Sequence, residues 1–118
     1  MKMFRKDEGF TLVELMVVVL IIGILVAIAV PIFNAAKASA QQKTCWANER
    51  TVEGAYQSWE AAGNDGSTLT YATMMTALTP NYVKTTPSCP ASGTYSADFT
   101  GNNQATVGIK CTIHSVHP

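Results

Sequence analysis

The apolar run from Phe10 to Phe33, FTLVELMVVVLIIGILVAIAVPIF, constrains this chain more than any other feature of its sequence. As an α-helix rising about 1.5 Å per residue, its 24 residues would reach about 36 Å, enough to cross the roughly 30 Å hydrocarbon core of a bilayer. We therefore predict a membrane-spanning helix over residues 10–33. Its only charge is Glu14. Because a carboxylate at that depth costs about 2.5 to 3.5 kcal/mol, we expect Glu14 to have a specific partner.

A short basic segment precedes the run. Residues 1–9, MKMFRKDEG, carry three basic side chains and end at Gly9. Basic residues favour the cytoplasmic side of a membrane, so we predict that this segment stays inside the cell and that the chain after the apolar run lies outside. A cut after Gly9 would free the amine of Phe10 one helical turn from Glu14. The two groups could then neutralise each other or pair with a neighbouring copy.

The residues around this cut resemble a known processing signal. The segment is similar to the class III signal of type IV prepilins and of the pseudopilins of type II secretion and competence systems. The similarity covers the Thr-Leu pair after the cut and five further residues: Gly9, Phe10, Glu14, Gly23 and Pro31. The resemblance implies that a prepilin peptidase removes the leader by cutting between Gly9 and Phe10 and then methylates the Phe10 amine. It also implies that Glu14 pairs with the Phe10 amine of an adjacent subunit during filament assembly.

Two residues predict a soft segment within the helix. Pro31 removes the hydrogen bond to the Ala27 carbonyl, and Gly23 lowers helix propensity by about 0.8 to 1.0 kcal/mol relative to alanine. The resemblance implies that the helix between Gly23 and Pro31 can lose order in assembled filaments. For an isolated subunit, we favour the simpler interpretation of a kink in a membrane helix.

Two other interpretations of the apolar run stay open. An ordinary secretory signal would be cut after the A-x-A site that ends at Ala40, and Gln41 would become the first mature residue. That interpretation leaves Glu14 unexplained. A plain single-pass anchor would keep residues 1–9.

Beyond Phe33 the helical pattern continues with a different chemistry. Residues 34–63 are rich in alanine, glutamine, glutamate and lysine, which are mainly good helix formers. Gly63 supplies a stop, so the sequence predicts a single helix of about 50 residues, membrane-spanning over 10–33 and amphipathic over 34–63. Apolar positions recur every seven residues on one face and are widened by two neighbours: Ala38, Cys45, Val52 and Trp59, with Ala55 and Tyr56.

Residues 64–118 are predicted to form a globular head. A short helix is expected within Leu69–Leu78, and a β-hairpin from Tyr95–Phe99 and Val107–Ile113, where apolar and polar residues alternate. A third strand near Tyr82–Lys84 is an alternative that the neighbouring prolines disfavour. The hairpin would cover the apolar stripe of the helix. The result is an α+β fold in which a long N-terminal helix packs against a small C-terminal antiparallel sheet.

Three cysteines in a head that faces the cell exterior indicate one disulfide and one leftover thiol. Hairpin geometry favours the pair Cys89 and Cys111, with Cys45 left over, and a pair between Cys45 and either of the others is the alternative. Cys89-Pro90 with Gly93 and Tyr95 also resembles the CPxxGxY segment of small pseudopilins and Gram-positive pilins. This second resemblance strengthens the expectation of a type IV pilin-like fold.

No cofactor or metal site is expected. Zinc binding by the cysteines with His114 or His117 lacks a close ligand pair, so we expect solvated histidines. The acids Asp65 and Asp98 are too few for a calcium site.

The remaining composition narrows the function. The net charge is zero and no basic tract is present, so nucleic-acid binding is not expected. No catalytic constellation or phosphate-binding loop stands out, which argues against an enzyme. The resemblance implies instead a structural subunit of a type IV pilus or related filament.

Its implied partners are further copies of itself, the prepilin peptidase, an inner-membrane assembly platform and, before assembly, membrane lipid. The chain would be a single-pass cell-membrane protein before assembly and part of an extracellular pilus afterwards. A pseudopilin of a type II secretion or competence machine, a minor pilin at a filament tip, and a small soluble domain secreted by the Sec pathway remain as alternatives.

Overall fold

A computed structural model describes residues 9–66, 69–99 and 107–118 of the chain. Most of the expected leader, residues 1–8, and the expected hairpin turn after Phe99 lie outside the described residues. The secondary structure elements, in order, are helix α1 (Leu12–Ala61), helix α2 (Tyr71–Leu78), strand β1 (Tyr95–Phe99) and strand β2 (Val107–Cys111). This order confirms the predicted α+β fold, with a long helix first and a small antiparallel sheet last.

The chain divides into two compact units, Met1–Lys37 and Ala38–Pro118. The first unit contains the apolar part of α1, and the second contains the rest of α1, α2 and the sheet. The four segments expected from the sequence, with boundaries at residues 9, 33 and 63, stay a prediction.

Helix α1 has the predicted length and end. It covers 50 residues, and Gly23 and Pro31 lie within it without interrupting it. Beyond its last turn, Gly63 adopts φ of 96°, a left-handed conformation that glycine reaches without steric cost. The Gly63 amide donates to the carbonyl of Glu60 at 2.8 Å. The glycine after the helical pattern was therefore a correct stop signal.

The core of the head lies against the second part of α1. Cys45, Glu49, Val52 and Tyr56 are the buried residues of this helix, and their spacing of four, three and four places them on one face. The predicted apolar stripe is thus confirmed from Cys45 onward, whereas Ala38 is exposed. The residues that pack with this face come from α2, the connecting segment and the hairpin: Met74, Met75, Leu78, Val83, Cys89, Tyr95, Ile109 and Cys111.

Helix α2 begins at a reciprocal cap. The Thr70 side chain accepts a hydrogen bond from the Thr73 amide, and the Thr73 side chain accepts one from the Thr70 amide, which satisfies two amides that would otherwise lack partners. After the helix, the amides of Tyr82 and Val83 both donate to the carbonyl of Leu78. These two bonds hold the chain in a turn. Residues 82–84, which the structure describes, therefore do not form the third strand that was the alternative expectation.

Strands β1 and β2 pair antiparallel, with Tyr95 opposite Cys111 and Ala97 opposite Ile109. The hairpin was predicted correctly, but its second strand ends earlier than expected. Instead of continuing to Ile113, the chain turns after Cys111, and the amide of Ser115 donates to the Cys111 carbonyl at 3.0 Å. Ile113 is therefore outside the strand and more than half exposed.

Candidate functional site

The first candidate site is the apolar surface of α1. Every large apolar side chain from Leu12 to Phe33 is between 47% and 74% exposed, and this is the one helix in the described part of the chain that is long and apolar enough to cross a membrane. Full burial of a side chain of this kind contributes about 1.5 to 3 kcal/mol, so covering the whole run would contribute on the order of 20 kcal/mol. Such a surface requires lipid or other apolar chains around it.

At the start of this helix, Glu14 and Thr11 cap each other. The Glu14 carboxylate accepts a hydrogen bond from the Thr11 amide at 2.9 Å, and the Thr11 hydroxyl accepts one from the Glu14 amide at 3.2 Å. This T-x-x-E arrangement is a capping box, and the negative carboxylate also lies at the positive end of the helix dipole. Sequence analysis missed this role of Thr11, although the spacing of the two residues was the signal for it.

The other residues expected in the N-terminal segment have few contacts. Phe10 precedes the helix and is 87% exposed. A Cβ atom placed on Gly9 or Gly23 would meet nothing within 4 Å. Their proposed roles in cleavage, methylation and helix softening stay predictions.

A second candidate site lies in the head, where the three cysteines meet. Cys45, Cys89 and Cys111 are buried free thiols, and the Nδ1 atom of His114 lies 3.5 Å from the Cys89 Sγ atom and 4.0 Å from the Cys111 Sγ atom. The expectation of a solvated His114 was wrong, because the turn after β2 folds its half-buried ring back onto the sulfur atoms. The signal was the Cys111-x-x-His114 spacing, which is a close ligand pair. Pairing of Cys89 with Cys111 in a disulfide stays a prediction.

The thiols differ electrostatically. Burial raises the pKa of the Cys45 thiol to about 12. Burial also acts to raise the pKa of Cys111, but hydrogen bonds from the amides of Ile113 and His114 and from the other two thiols outweigh it, so the pKa of Cys111 is lowered. Cys111 therefore loses its proton more readily than Cys45 does.

A buried carboxylate group near the last residues was also missed by sequence reasoning. Glu49 is fully buried, its Oε2 atom accepts a hydrogen bond from the His117 amide at 2.9 Å, and burial raises its pKa. Glu53 accepts from the Ile109 amide at 3.0 Å, and its other oxygen lies 2.8 Å from the His117 Nε2 atom. This carboxylate raises the pKa of His117. The expectation of a solvated His117 was therefore also wrong, since the ring forms an ion pair with α1.

Comparison with known proteins concerns mainly the N-terminal part of the chain. Residues 4–30 match the family model of the prokaryotic N-terminal methylation motif. The fimbrial protein EcpB of Eikenella corrodens is 58% identical over 36 residues, 30% of this chain and 23% of the relative. The type IV major pilin protein PilA of Myxococcus xanthus is 44% identical over 54 residues, 46% of this chain and 24% of the relative.

For a third relative, the match covers a larger share of the relative's own length. The type IV narrow pilus major component PilA5 of Thermus thermophilus is 49% identical over 51 residues, 43% of this chain and 44% of the relative. The chain thus spans about a quarter to less than half of the length of these relatives. No solved structure matches the chain significantly.

Proposed function

We propose that this chain, whose methylation motif and pilin relatives support a type IV pilin, is a structural subunit of a type IV pilus. The observation that carries the proposal is the exposed apolar part of α1 together with the methylation motif that surrounds its start. Lipid covers this surface before assembly, and other copies of the same helix cover it afterwards. The proposal accounts for an apolar surface that the subunit leaves open.

Processing comes first in the proposed sequence of events. The chain crosses the membrane once, with residues 1–9 inside the cell, and the prepilin peptidase cuts between Gly9 and Phe10 and methylates the new amine. The chain is the substrate of that enzyme and has no catalytic role of its own. An inner-membrane assembly platform then moves the processed subunit from the lipid into the filament.

Glu14 acts in two states in this proposal. In the subunit, its carboxylate accepts a hydrogen bond from the Thr11 amide and so has a partner at the start of the helix. In the filament, the same carboxylate faces the Phe10 amine of an adjacent subunit, and a charge-assisted hydrogen bond between them replaces the cap. Glu14 thereby fixes the axial register of the subunits, while burial of the apolar surface away from water holds the assembled filament together.

The head forms the outer surface of the filament, and no nucleic-acid binding is proposed for it. A pseudopilin of a type II secretion or competence machine would use the same helix, but the three relatives are named as fimbrial or pilus proteins, which favours the pilus subunit. Softening of the helix between Gly23 and Pro31 during assembly belongs to the same proposal.

Mass spectrometry of the first residue of the native protein tests the processing step. We expect N-methylated Phe10. A first residue at Gln41 would indicate a secretory signal, and retention of residues 1–9 in assembled material would contradict the proposal as well.

The role of the cap is tested with two variants in the native host. Glu14→Ala removes both the cap and the filament partner, whereas Thr11→Ala removes half of the cap and leaves the carboxylate free. We expect membrane insertion of both variants but filaments only from Thr11→Ala. Normal filaments from Glu14→Ala would remove the role given to Glu14.

A further inference from the structure

Four metal-ligand atoms meet in the head. Cys45, Cys89, Cys111 and His114 each offer one, and these atoms all lie within 4.8 Å of one another. The three thiols are buried and the imidazole is half-buried. We propose that these four side chains bind one Zn²⁺ ion in a tetrahedral, structural Cys₃His site. This inference is independent of the proposed filament function.

The distances fit a tetrahedral ion. With Zn–S bonds of about 2.3 Å and a Zn–N bond of about 2.0 to 2.1 Å, two sulfur atoms lie about 3.8 Å apart, and a sulfur and a nitrogen lie about 3.6 Å apart. The His114 Nδ1 atom lies 3.5 Å from the Cys89 Sγ atom and 4.0 Å from the Cys111 Sγ atom. Since no separation exceeds 4.8 Å, closing around an ion requires shifts of about 1 Å at most.

The four ligands come from separate segments of the chain. Cys45 lies in helix α1, Cys89 in the segment before β1, Cys111 at the end of β2, and His114 in the turn that follows. A disulfide would involve only two of these residues and would leave a thiol and an imidazole at the same point. A single ion accounts for the convergence of all four, and it joins α1 to the hairpin.

Hydrogen bonds around the cluster hold the ligands in place. Tyr95 lies opposite Cys111 across the hairpin, and the Asn48 side chain donates to the Tyr95 hydroxyl at 3.2 Å. The Trp46 indole donates to the His114 carbonyl at 3.3 Å, which fixes the turn that carries the imidazole. Partners of this kind orient metal ligands, and their loss typically weakens metal binding about 10- to 100-fold.

The backbone also comes close to the sulfur atoms. A Cβ atom on Gly93 would lie 2.5 Å from the Cys111 Sγ atom and 3.2 Å from the Cys89 Sγ atom. The backbone therefore approaches the cluster so closely that only glycine fits without a shift of its neighbours.

Sulfur-rich tetrahedral sites with one imidazole favour Zn²⁺, and four protein ligands leave no open position for a reacting molecule. On binding, each of the three thiols that is still protonated releases its proton to solvent, and His114 binds as neutral imidazole through Nδ1. The site is therefore structural. In a head with a modest core, the free energy of metal binding adds directly to the free energy of folding.

The test uses the full-length chain without an affinity tag, purified from membranes in detergent without chelators. Zinc is measured per chain by mass spectrometry of the metal, and thiols by intact mass after alkylation in denaturant. We expect about one zinc and three alkylated cysteines per chain. A native chain with a disulfide between Cys89 and Cys111, or a reduced chain that takes up no added Zn²⁺, would overturn the inference.

Variants separate the site from adventitious binding. We expect His114→Ala to weaken zinc binding at least about tenfold in competition with a chromogenic chelator, and His114→Cys to retain the ion with four sulfur ligands. His117→Gln is the matched control, since it changes the other histidine and should bind zinc as the unchanged chain does. Equal zinc binding by His114→Ala and His117→Gln would overturn the inference.

A measurement on the unchanged chain guards against misfolded variants. Removing zinc from the folded chain with a strong chelator should lower the melting temperature of the head, and adding back one equivalent should restore it. An identical melting temperature with and without the ion would also overturn the inference.

Discussion

Substitution of Gly93 by alanine tests the packing around the cysteine cluster. The added Cβ atom would lie 2.5 Å from the Cys111 Sγ atom, 3.2 Å from the Cys89 Sγ atom and 3.3 Å from the Ile113 Cγ1 atom. Contacts between such atoms normally begin at about 3.5 Å, so the structure must move. Cys111 can move its sulfur only by rotating about one bond, and it is 4% exposed, so a rotation would push the sulfur into its neighbours.

Overpacking of this kind costs about 1 to 3 kcal/mol. For a domain of this size, each kcal/mol lowers the melting temperature by about 4 to 8 °C. We therefore expect Gly93→Ala to lower the melting temperature of the head by at least about 4 °C. The assay is thermal unfolding of the full-length chain in detergent, followed by tryptophan fluorescence, because Trp59 packs against the core and the Trp46 indole bonds to the turn after β2.

Gly54→Ala is the matched control. It lies within α1, and a Cβ atom there would meet nothing within 4 Å, so alanine should stabilise the helix by about 0.5 to 1 kcal/mol. The reasoning would be refuted if the two variants had the same melting temperature, since the contacts around Gly93 would then have no energetic consequence.

Three further outcomes follow from particular contacts. Glu14→Gln keeps the acceptor for the helix cap but not the charge, so we expect stable insertion and few filaments, counted by electron microscopy. Leu78→Ala removes a fully buried side chain and should lower the free energy of unfolding by about 2 to 5 kcal/mol, whereas Ile113→Ala, at an exposed position, should change it by less than about 0.5 kcal/mol in urea unfolding. Because Glu53 raises the pKa of His117, their ion pair stabilises the head fully below about pH 6.5, the unfolded-state pKa of histidine, and is lost as the pH rises through the higher folded-state pKa. Glu53→Gln should remove this part of the pH dependence, and an unchanged slope above about pH 6.5 would contradict the assignment.

The elements with strong local signals could be predicted from the sequence. Helix α1 was predicted because an apolar run and an amphipathic stripe follow each other without a break, and its end was predicted because Gly63 follows the last apolar position. The hairpin was predicted from the alternation around Tyr95 and Ile109. In each case the residues that decide the structure lie close together along the chain.

The features that could not be predicted from the sequence depend on contacts between residues that are distant along the chain. Glu49 lies among exposed polar residues of α1, and its burial follows from the His117 amide, which lies 68 positions further along the chain. A search for periodic apolar residues cannot identify such a carboxylate. The early end of β2 has the same origin, because the turn after Cys111 packs against Trp46 through the His114 carbonyl.

The two states proposed for Glu14 explain why a single acid can direct assembly without driving it. Breaking a helix cap costs typically about 1 kcal/mol, and a charge-assisted bond to the Phe10 amine of a neighbour can recover that cost. Covering the apolar part of α1 contributes on the order of 20 kcal/mol, in lipid and in a bundle of helices alike. The free energy of covering the apolar side chains is therefore nearly the same in lipid and in the filament. A small difference at Glu14 is then sufficient to select one axial register over its neighbours, because a shifted register would leave the carboxylate among apolar side chains without a partner.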